Sequence, residues 1–362
     1  MRISIIGTGP SGSAAAHDLA NHGHDVTLFE ENPEAGIPCH CTGIVTNVLW
    51  EHIPKNKELI LNQLKSVRIH APPNVQIDVP LAEFVLDRAR LDKYLAERAQ
   101  DAGAQIKYEH RFTGLKNNSL QFSRSDSFSP KPDILIGADG PRSAVAHATR
   151  IFGERKFYFG VQATATGDFT PDRFEVWFGN VCPGFFAWLV PESDSVARIG
   201  IAALQSPQRY FQPFIKKRIK KILNYQGGPI PWFNNSLKQF TVHNNLPTCL
   251  VGDAGGLVKA TTGGGIITGI MSGQLCAKAI MQNKSYHELL LPLKRELRLH
   301  DFMRTTLNKF SDADYELLLK LMDTPKVKDI LFNHPREFPS KFMLKLLLAQ
   351  PGFLKFANKL FL

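Results

Sequence analysis

Residues Arg2 to Glu30 read RISIIGTGPSGSAAAHDLANHGHDVTLFE, and this stretch sets the architecture expected for the 362-residue chain. It begins with a short apolar run of strand length, passes through a glycine turn and opens into an alanine-rich segment with helical character. A second apolar run follows and ends in an acidic residue. This order of strand, turn, helix and strand predicts the start of a Rossmann-type dinucleotide-binding domain.

Three glycines occupy the turn at the spacing G-x-G-x-x-G: Gly7, Gly9 and Gly12. The first permits a tight turn, the second lets the backbone approach a pyrophosphate, and the third allows close helix packing. The amides and the positive dipole of the helix N-terminus would then hold the pyrophosphate. Glu30 follows the second strand, where a carboxylate can accept hydrogen bonds from an adenosine ribose. A chance glycine turn is the alternative, which the flanking strand, helix and acid disfavour.

Length and charge indicate several modules and an anionic partner. At about 150 residues per domain, the length suggests two or three modules. The formal net charge of +10 is compatible with phospholipid head groups, a diphosphate, an acidic redox protein or nucleic acid, although no nucleic-acid motif supports the last. Cations concentrate at 216–221 and again beyond Lys326. The first cluster is equally compatible with a solvated basic face.

The five cysteines do not form a disulfide framework, so we expect a reducing, cytoplasmic environment. The run Cys39-His40-Cys41 lacks the second ligand pair that a tetrahedral zinc site needs, and no metal is expected. The first strand begins after two residues, and no apolar run reaches the roughly 18 residues of a spanning helix. We therefore expect neither a signal peptide nor a transmembrane segment.

Further along the chain, apolar periodicity and turn residues predict a mixture of helices and strands. The predicted elements are a helix or connector up to Leu64, a hairpin over Ser66–Pro80, a helix from Val85 to Gly103, a buried strand over Asp133–Ala138, antiparallel strands between Phe157 and Ala203, and a basic helix over Gln208–Asn224. Because the strand at 133–138 returns to the first sheet after an insertion, the dinucleotide domain should be discontinuous.

A later stretch repeats the opening pattern. LVGDAGGLVKATTGGGIITGIMSGQLCAKAI, at 250–280, predicts a strand, a turn that contains Asp253, and glycines that lead into a long helix of small residues. Three separated motifs thus occur in order: the glycine turn with Glu30, ADG at 138–140, and GDA at 252–254. In this the sequence resembles the superfamily of FAD-dependent hydroxylases and geranylgeranyl reductases, over nearly the whole chain.

The resemblance implies an α/β fold with a Rossmann-type FAD-binding domain of the glutathione reductase/hydroxylase type, an inserted antiparallel β-sheet substrate domain and a helical C-terminal region. It implies FAD as cofactor. We therefore predict an FAD-binding domain at 1–65, 85–155 and 245–284, a substrate domain at 66–84 and 156–244, and a C-terminal helical region at 285–362.

Four shorter motifs resemble the geranylgeranyl reductase branch. PCHCTG resembles its P-x-x-C-x-G and implies that Cys41 lies near the flavin. FVLDRARLDKYL resembles its arginine-bearing helix, with Arg88 as an FAD contact. VKATTGGGI resembles V-K-P-T-T-G-G-G-I, with Ala260 where proline is commoner. PGFFAWLVP resembles the substrate motif Y-x-W-x-F-P, with Phe186 in place of the tyrosine and Val190 in place of the phenylalanine.

The implied FAD contacts combine these motifs. They are Gly7, Gly9, Gly12, Glu30, Cys41, Thr42, Gly43, Arg88, Asp139, Asp253, Gly263, Gly264, Gly265 and Ile266. Asp253 can accept a hydrogen bond from a ribityl hydroxyl, or it can cap the next helix. The positive end of the helix after Gly265 favours the anionic reduced flavin, which gives up hydride.

The candidate catalytic residues are Cys41, Phe186 and Trp188. Cys41 is the candidate on the proton side, and a packing thiol is the equal alternative. The two aromatic residues are expected to shape an apolar channel, or else to be ordinary core residues. Water exclusion and positioning must supply much of the barrier lowering, because an isolated alkene has no activating carbonyl.

The predicted function is FAD-dependent reduction of carbon–carbon double bonds in geranylgeranyl chains, with hydride from flavin N5. The first candidate substrate is an archaeal-type ether phospholipid, and the other candidates are prenyl lipids such as a prenyl diphosphate or a quinone tail. One alternative is an FAD-dependent monooxygenase that hydroxylates an aromatic or lipophilic small molecule. Another is a membrane-associated flavoprotein that only relays electrons. A single dinucleotide fold implies a transient electron donor, either a diffusible cofactor or a reduced carrier protein.

The C-terminal tail predicts peripheral membrane contact. Lys341 and Lys345 lie four residues apart, as do Lys355 and Lys359, and both pairs are flanked by apolar residues. Two short amphipathic helices with basic outer faces could lie in a membrane interface, on the inner face of the cell membrane, as a lipid substrate would require. Docking of the same helices onto the protein itself is the equal alternative.

Overall fold

The computed structural model describes residues 1–39, 41–72, 74–123 and 129–360, and it shows two compact units. His40 of the Cys39-His40-Cys41 run lies outside the described residues. Unit 1 consists of Met1–Cys39, Arg88–Lys156 and Pro231–Arg298. Unit 2 consists of His40–Asp87, Phe157–Ile230 and Leu299–Leu362.

The described part of the chain contains β-strands, α-helices and short 3-10 segments. The strands are β1 (Arg2–Ile6), β2 (Asp25–Phe29), β3 (Ile44–Thr46), β4 (Ile60–Ala71), β5 (Val75–Leu86), β6 (Gln105–Lys107), β7 (Phe112–Lys116), β8 (Ser119–Phe122), β9 (Ile134–Gly137), β10 (Phe157–Thr166), β11 (Arg173–Trp177), β12 (Ala187–Pro191), β13 (Val196–Ala203), β14 (Lys221–Pro231), β15 (Phe240–His243) and β16 (Leu246–Leu250). The α-helices are α1 (Pro10–Asn21), α2 (Leu49–His52), α3 (Arg88–Asp101), α4 (Ala144–Ala148), α5 (Pro207–Ile215), α6 (Ile266–Met281), α7 (Tyr286–Leu307), α8 (Asp312–Met322), α9 (Pro325–Asn333) and α10 (Met343–Ala349). Short 3-10 segments lie at Lys57–Leu59, Gly252–Gly255, Pro339–Lys341 and Pro351–Leu360.

Unit 1 is built on a six-stranded sheet in the order β15-β16-β9-β1-β2-β6. The pairs β1–β2, β1–β9, β2–β6 and β9–β16 are parallel, and only β15–β16 is antiparallel among the pairings of this sheet in the described residues. A buried apolar core lies between this sheet and helices α1 and α6. The helices pack closely, since a Cβ on Gly273 of α6 would lie 2.2 Å from the carbonyl oxygen of Ser11 in α1. The predicted α/β fold with a Rossmann-type domain is confirmed.

Unit 2 is built on an eight-stranded sheet in the order β14-β10-β13-β12-β11-β4-β5-β3. Strands β10 to β13 form the antiparallel sheet predicted between Phe157 and Ala203. The predicted hairpin is formed by β4 and β5 and is longer than expected. β4 joins β11 in parallel and thus attaches this hairpin to the sheet.

Two local predictions were wrong. The segment before Leu64 was expected to be a helix or connector, but β3 pairs antiparallel with β5, and β4 begins at Ile60. The basic helix predicted over Gln208–Asn224 ends at Ile215, and β14 begins at Lys221 as the edge strand beside β10. In both segments, pairing with a distant strand overrides the local pattern.

The two units also differ from the predicted domain boundaries. Residues 40–65 lie in unit 2, because β3 and β4 pair within its sheet. Residues 231–244 lie in unit 1, because β15 pairs with β16. The separate helical region was expected at 285–362, but residues 285–298 lie in unit 1 and residues 299–362 cluster with unit 2. None of the described helices combines the length and apolar character that crossing a bilayer requires.

Candidate active site

The glycine turn of unit 1 forms a cradle that side chains would fill. Gly7 has a φ of +102°, and a Cβ there would lie 2.5 Å from the carbonyl oxygen of Ala138. A Cβ on Gly12 would lie 2.1 Å from the carbonyl oxygen of Gly7, which explains why α1 can start directly over the turn. Gly9, by contrast, has nothing within 4 Å of its missing Cβ, and α1 begins with no side-chain cap. Open space at an uncapped helix N-terminus fits a pyrophosphate.

Glu30 is buried at the end of β2, and protein groups already hold its carboxylate. Oε2 accepts hydrogen bonds from the backbone N (3.0 Å) and Oγ1 (2.8 Å) of Thr8. Oε1 accepts from the backbone N (3.0 Å) and Nδ2 (2.7 Å) of Asn32. These contacts fix the carboxylate beside the glycine turn, and the expected contact with a ribose remains a prediction. Thr8 and Asn32 had no signal in the sequence analysis, although both are close to the motif in the chain.

Arg88 lies in the first turn of α3 and forms a bidentate ion pair with Asp92, one helical turn later. Nη2 of Arg88 is 2.8 Å from both carboxylate oxygens, and Nε is 3.1 Å from Oδ1. Burial raises the pKa of Asp92, and the guanidinium opposes that rise. A bidentate pair on one helix face restricts the guanidinium to one orientation.

Asp139 follows β9 and caps the short helix α4. Its carboxylate accepts a hydrogen bond from Oγ of Ser143 at 2.6 Å and from the backbone N of Val145 at 3.1 Å. Burial raises the pKa of Asp139, and these hydrogen bonds lower it. The carboxylate therefore has a structural partner on each oxygen, and its expected role towards FAD remains a prediction.

Asp253 differs from the other carboxylates of unit 1. It lies in the 3-10 segment after β16, is half-buried, and accepts no hydrogen bond at its carboxylate from the part of the chain that the structure describes. Burial raises its pKa to about 6, while the guanidinium groups of Arg88 and Arg155 lower it. A Cβ on Gly265 would lie 2.7 Å from Oδ1 of Asp253, so the GDA and triple-glycine motifs meet. Such a carboxylate fits a ligand that donates hydroxyl groups, as the ribityl chain of FAD does.

Arg155 was missed by the sequence analysis. It donates to the carbonyl oxygens of Phe152 (2.8 Å), Asp253 (3.3 Å) and Ala254 (2.7 Å), and its guanidinium lies 4.4 Å from the centroid of the Phe152 ring. Arg155 thereby holds the backbone that carries Asp253. Asp253 and Ala254 are 98 and 99 positions away from Arg155, and no local pattern indicates these contacts.

The triple glycine forms a turn immediately before α6. The backbone N of Gly263 donates to the carbonyl oxygen of Lys259 at 2.8 Å, and the backbone N of Lys259 donates to that of Gly264 at 3.1 Å. Gly263 has a φ of +67°. The helix begins at Ile266 without a side-chain cap, as the sequence predicted. The first amides of this 16-residue helix are thus available to a negatively charged group.

In unit 2, the loop Cys41-Thr42-Gly43 has a defined shape. The Cys41 sulfur accepts a hydrogen bond from the backbone N of Gly43 at 3.3 Å, and Gly43 has a φ of +77°. Nη1 of Arg198 donates to the carbonyl oxygens of Thr42 at 2.8 Å and Leu86 at 3.1 Å. A Cβ on Gly43 would lie 2.5 Å from that nitrogen, so only glycine fits. Arg198, a buried residue, was also missed by the sequence analysis.

In unit 2, the aromatic residues of the segment PGFFAWLVP form a cluster. The rings of Phe185 and Phe186 are stacked with centroids 4.4 Å apart, and Phe186 meets Trp188 edge to face at 5.8 Å. The buried guanidinium of Arg304 lies 4.5 Å from the centroid of the Phe185 ring. Phe185 and Trp188 are buried, whereas Phe186 is half-buried. Phe186 is therefore the more accessible of the two predicted aromatic residues.

The structure thus brings the predicted residues together within each unit. In unit 1, the glycine turn lies beside Glu30, and Asp253 lies beside Gly265. In unit 2, the loop at 41–43 and Trp188 are joined by hydrogen bonds to Gln162. Gln162 was likewise missed by the sequence analysis.

The chain is similar in sequence to known proteins. Residues 5–50 match the family described as NAD(P)-binding Rossmann-like domain. The digeranylgeranylglycerophospholipid reductase of Methanosarcina mazei is 30% identical over 308 residues, which cover 76% of this chain and 74% of the relative. The protein of the same name from Methanococcus vannielii is 25% identical, and the match covers 99% of this chain and 97% of the relative.

Solved structures share the fold. A geranylgeranyl bacteriochlorophyll reductase-like protein from Thermoplasma acidophilum superimposes with a TM-score of 0.80 at 22% identity, covering 98% of this chain and 97% of that one. A halogenase solved in complex with FAD superimposes with a TM-score of 0.68 at 14% identity, covering 99% of this chain and 84% of the halogenase. The fold is therefore one on which FAD-dependent enzymes are built.

Proposed function

The chain belongs to the family of digeranylgeranylglycerophospholipid reductases, and we propose that it is an FAD-dependent oxidoreductase that saturates carbon–carbon double bonds in the geranylgeranyl chains of an archaeal-type ether phospholipid. The observation that carries this proposal is the 30% identity to a reductase of that name over three quarters of both chains. The match to the Methanococcus vannielii relative covers 99% of this chain, so it includes both units.

The residues of unit 1 fit FAD, which when bound supplies the hydride from N5 of its reduced isoalloxazine ring. The open space at Gly9 and the uncapped start of α1 would bind the pyrophosphate. The carboxylate of Asp253 would accept hydrogen bonds from ribityl hydroxyls. The uncapped start of α6 after Gly265 would stabilise negative charge on the pyrimidine side of the ring.

The residues of unit 2 supply the surroundings of the alkene. The rings of Phe186 and Trp188 provide an apolar surface for a prenyl chain and exclude water. The thiol of Cys41 would deliver a proton from Sγ to the carbon that does not receive hydride. Phe186 stands where relatives of the branch have tyrosine, so the aromatic group carries no hydroxyl at this position.

A transient partner must supply the electrons. Within the described residues, one sheet has the Rossmann-type strand order, and it is the sheet that we assign to FAD. The electron donor is therefore a diffusible cofactor or a reduced carrier protein.

Peripheral membrane contact is supported by the exposed face of α10. Leu344 and Leu348 lie four residues apart on one helix face and are 66% and 73% exposed. Leu354, in the following 3-10 segment, is 60% exposed. The same segment also docks onto unit 2, because Phe356 is buried and Nζ of Lys359 lies 2.8 Å from Asp314. The exposed leucines are the part of the tail that suits a lipid interface.

The membrane proposal is tested with the variant Leu344→Ser/Leu348→Ser. We expect it to co-sediment several-fold less with anionic liposomes than wild type, because apolar burial in the interface is lost. The matched control is Leu223→Ser, which changes another leucine of unit 2 that is 52% exposed. Equal co-sedimentation of the double variant and the wild type would contradict the proposal.

The function is tested by anaerobic incubation of the dithionite-reduced protein with a digeranylgeranylglycerophospholipid, followed by mass spectrometry of the lipid. We expect stepwise addition of hydrogen pairs. Substrate-dependent consumption of O₂ with lipid hydroxylation would instead identify a monooxygenase. Flavin that is reoxidised by carriers while every prenyl lipid keeps its mass would identify an electron relay.

A further inference from the structure

Gln162 of β10 joins two motifs that are far apart in sequence. Its Oε1 accepts hydrogen bonds from Nε1 of Trp188 at 2.8 Å and from Oγ1 of Thr42 at 3.0 Å. Its Nε2 donates to the carbonyl oxygen of Cys41 at 3.3 Å and to Oε1 of Gln226 at 3.0 Å. The side chain is only 5% exposed, and both acceptor sites and both N–H groups of the amide are used.

The partners allow only one orientation of this amide. The indole of Trp188 can donate but not accept, and the carbonyl of Cys41 can accept but not donate. A flipped amide would place N–H against N–H at Trp188 and oxygen against oxygen at Cys41. The orientation of Gln162 is therefore set by these two residues, independently of how the amide atoms were assigned.

Both partners of Gln162 are themselves held in place. The indole packs closely against Gly200 of β13, since a Cβ on that glycine would be 2.5 Å from Cζ2 of Trp188. On the other side, Arg198 holds the carbonyl of Thr42 at 2.8 Å. Gln162 is thus a rigid link between a fixed indole and the loop that carries Cys41.

We propose that Gln162 is a positioning residue that fixes the thiol of Cys41 relative to the indole of Trp188. Protein groups use all the hydrogen-bonding sites of its amide, so that it acts through the loop at 41–43. The role of Cys41 on the proton side rests on the proposed function, whereas the link itself rests on the hydrogen bonds described above.

The test measures the rate at which iodoacetamide alkylates Cys41 in the FAD-loaded protein. All variants carry Cys39→Ser, and mass spectrometry of the peptide that contains Cys41 gives the rate. We expect Gln162→Leu to raise this rate about tenfold, because the loop loses two hydrogen bonds to a buried partner, each worth roughly threefold. Trp188→Phe, which keeps a ring over Gly200 but removes the N–H, should raise it by a smaller factor.

The decisive readout is the double variant Gln162→Leu/Trp188→Phe. If Gln162 transmits the effect of Trp188, the double variant has the same rate as Gln162→Leu alone, because the two changes break one link. A general loss of packing would instead make the two effects multiply. Multiplied effects, or a rate in Gln162→Leu within twofold of wild type, would overturn the proposal.

Gln239→Leu is the matched control. Gln239 is another buried glutamine, in unit 1, which donates to the carbonyl of Gly255 at 3.0 Å and accepts from Nζ of Lys294 at 3.1 Å. Its replacement should leave the alkylation rate of Cys41 within twofold of wild type. If Gln162→Leu does not fold, the proposal is tested with Trp188→Phe alone. An alkylation rate of Cys41 in Trp188→Phe that is unchanged from wild type then overturns the proposal.

Failure of the proposed function is distinguishable from failure of this inference. If the wild-type protein leaves prenyl lipids unchanged but the variants show the expected alkylation rates of Cys41, the inference about Gln162 stands and the proposed function fails. If the wild-type protein reduces prenyl lipids but iodoacetamide alkylates Cys41 in the variants at the wild-type rate, the proposed function stands and the inference about Gln162 fails.

Discussion

The cofactor residues of unit 1 and the Cys41 loop of unit 2 are organised by different contacts. In unit 1, backbone atoms close to one another in sequence shape the cradle, as when Gly12 packs against the carbonyl of Gly7. In unit 2, side chains more than 100 residues away hold the loop, as Gln162 and Arg198 do. The comparison teaches that the shape of a glycine turn can be encoded locally, whereas the shape of the loop at 41–43 depends on the assembled sheet.

The largest effect is expected from Gly12→Ala. A Cβ there would overlap the backbone of Gly7, and backbone atoms cannot move aside as a flexible side chain can. We expect about 3 kcal/mol lower free energy of unfolding and loss of most bound FAD, measured by urea unfolding and flavin absorbance. Gly114→Ala is the control, because nothing lies within 4 Å of its missing Cβ. Wild-type flavin content in Gly12→Ala would refute the backbone account of the cradle.

A smaller effect is expected from Arg198→Met, which tests unit 2 separately from unit 1. It leaves the carbonyls of Thr42 and Leu86 and the carboxylate of Glu192 without their donor. We expect about 2 kcal/mol lower free energy of unfolding, with a much smaller loss of flavin than in Gly12→Ala. The lesion should thus disturb unit 2 without emptying the cradle of unit 1.

Arg68→Met is the control for Arg198→Met. It removes a more exposed ion pair with Asp78 and should cost about 0.5 kcal/mol. If Arg198→Met lost FAD in parallel with stability, the contacts of unit 2 would also control cofactor binding, which would contradict the distinction between the units.

The smallest effect is a pH dependence from Asp253. Its pKa in the folded state is about 6, above the ordinary value of 3.8, because of burial. Its contribution to stability is therefore complete below pH 3.8 and is lost as the pH rises through about 6. In flavin-free protein, Asp253→Asn should match wild type at low pH and have a Tm a few degrees higher at pH 8.

Asp78→Asn should change Tm at pH 8 in the opposite direction from Asp253→Asn. The hydrogen bond from Arg68 lowers the pKa of Asp78. Its contribution is present above the ordinary value of 3.8 and is lost as the pH falls through the lowered folded-state value. Asp78→Asn should therefore lower Tm at pH 8. A lower Tm of Asp253→Asn at pH 8 would show that its carboxylate has a donor in solution.

Much of the fold was predictable because its signals are local. The glycine spacing and the apolar runs of Arg2–Glu30 predicted β1, α1 and β2, and the glycines before Ile266 predicted the start of α6. The strand after Lys221 was not predictable, since a basic amphipathic segment becomes an edge strand only when β10 lies beside it. Similarly, β3 and the start of β4 depend on a hairpin partner.

The candidate residues divide along the same line. The amino-acid order alone was sufficient to assign the nucleotide turn, the triple glycine before α6 and the family resemblance, because each depends on backbone geometry within a few residues. Gln162, Arg155 and Arg198 became visible only in the folded chain. Each acts on groups more than 90 positions away, and hydrogen bonds between such distant groups form only after the sheets have brought them within 3.5 Å or less.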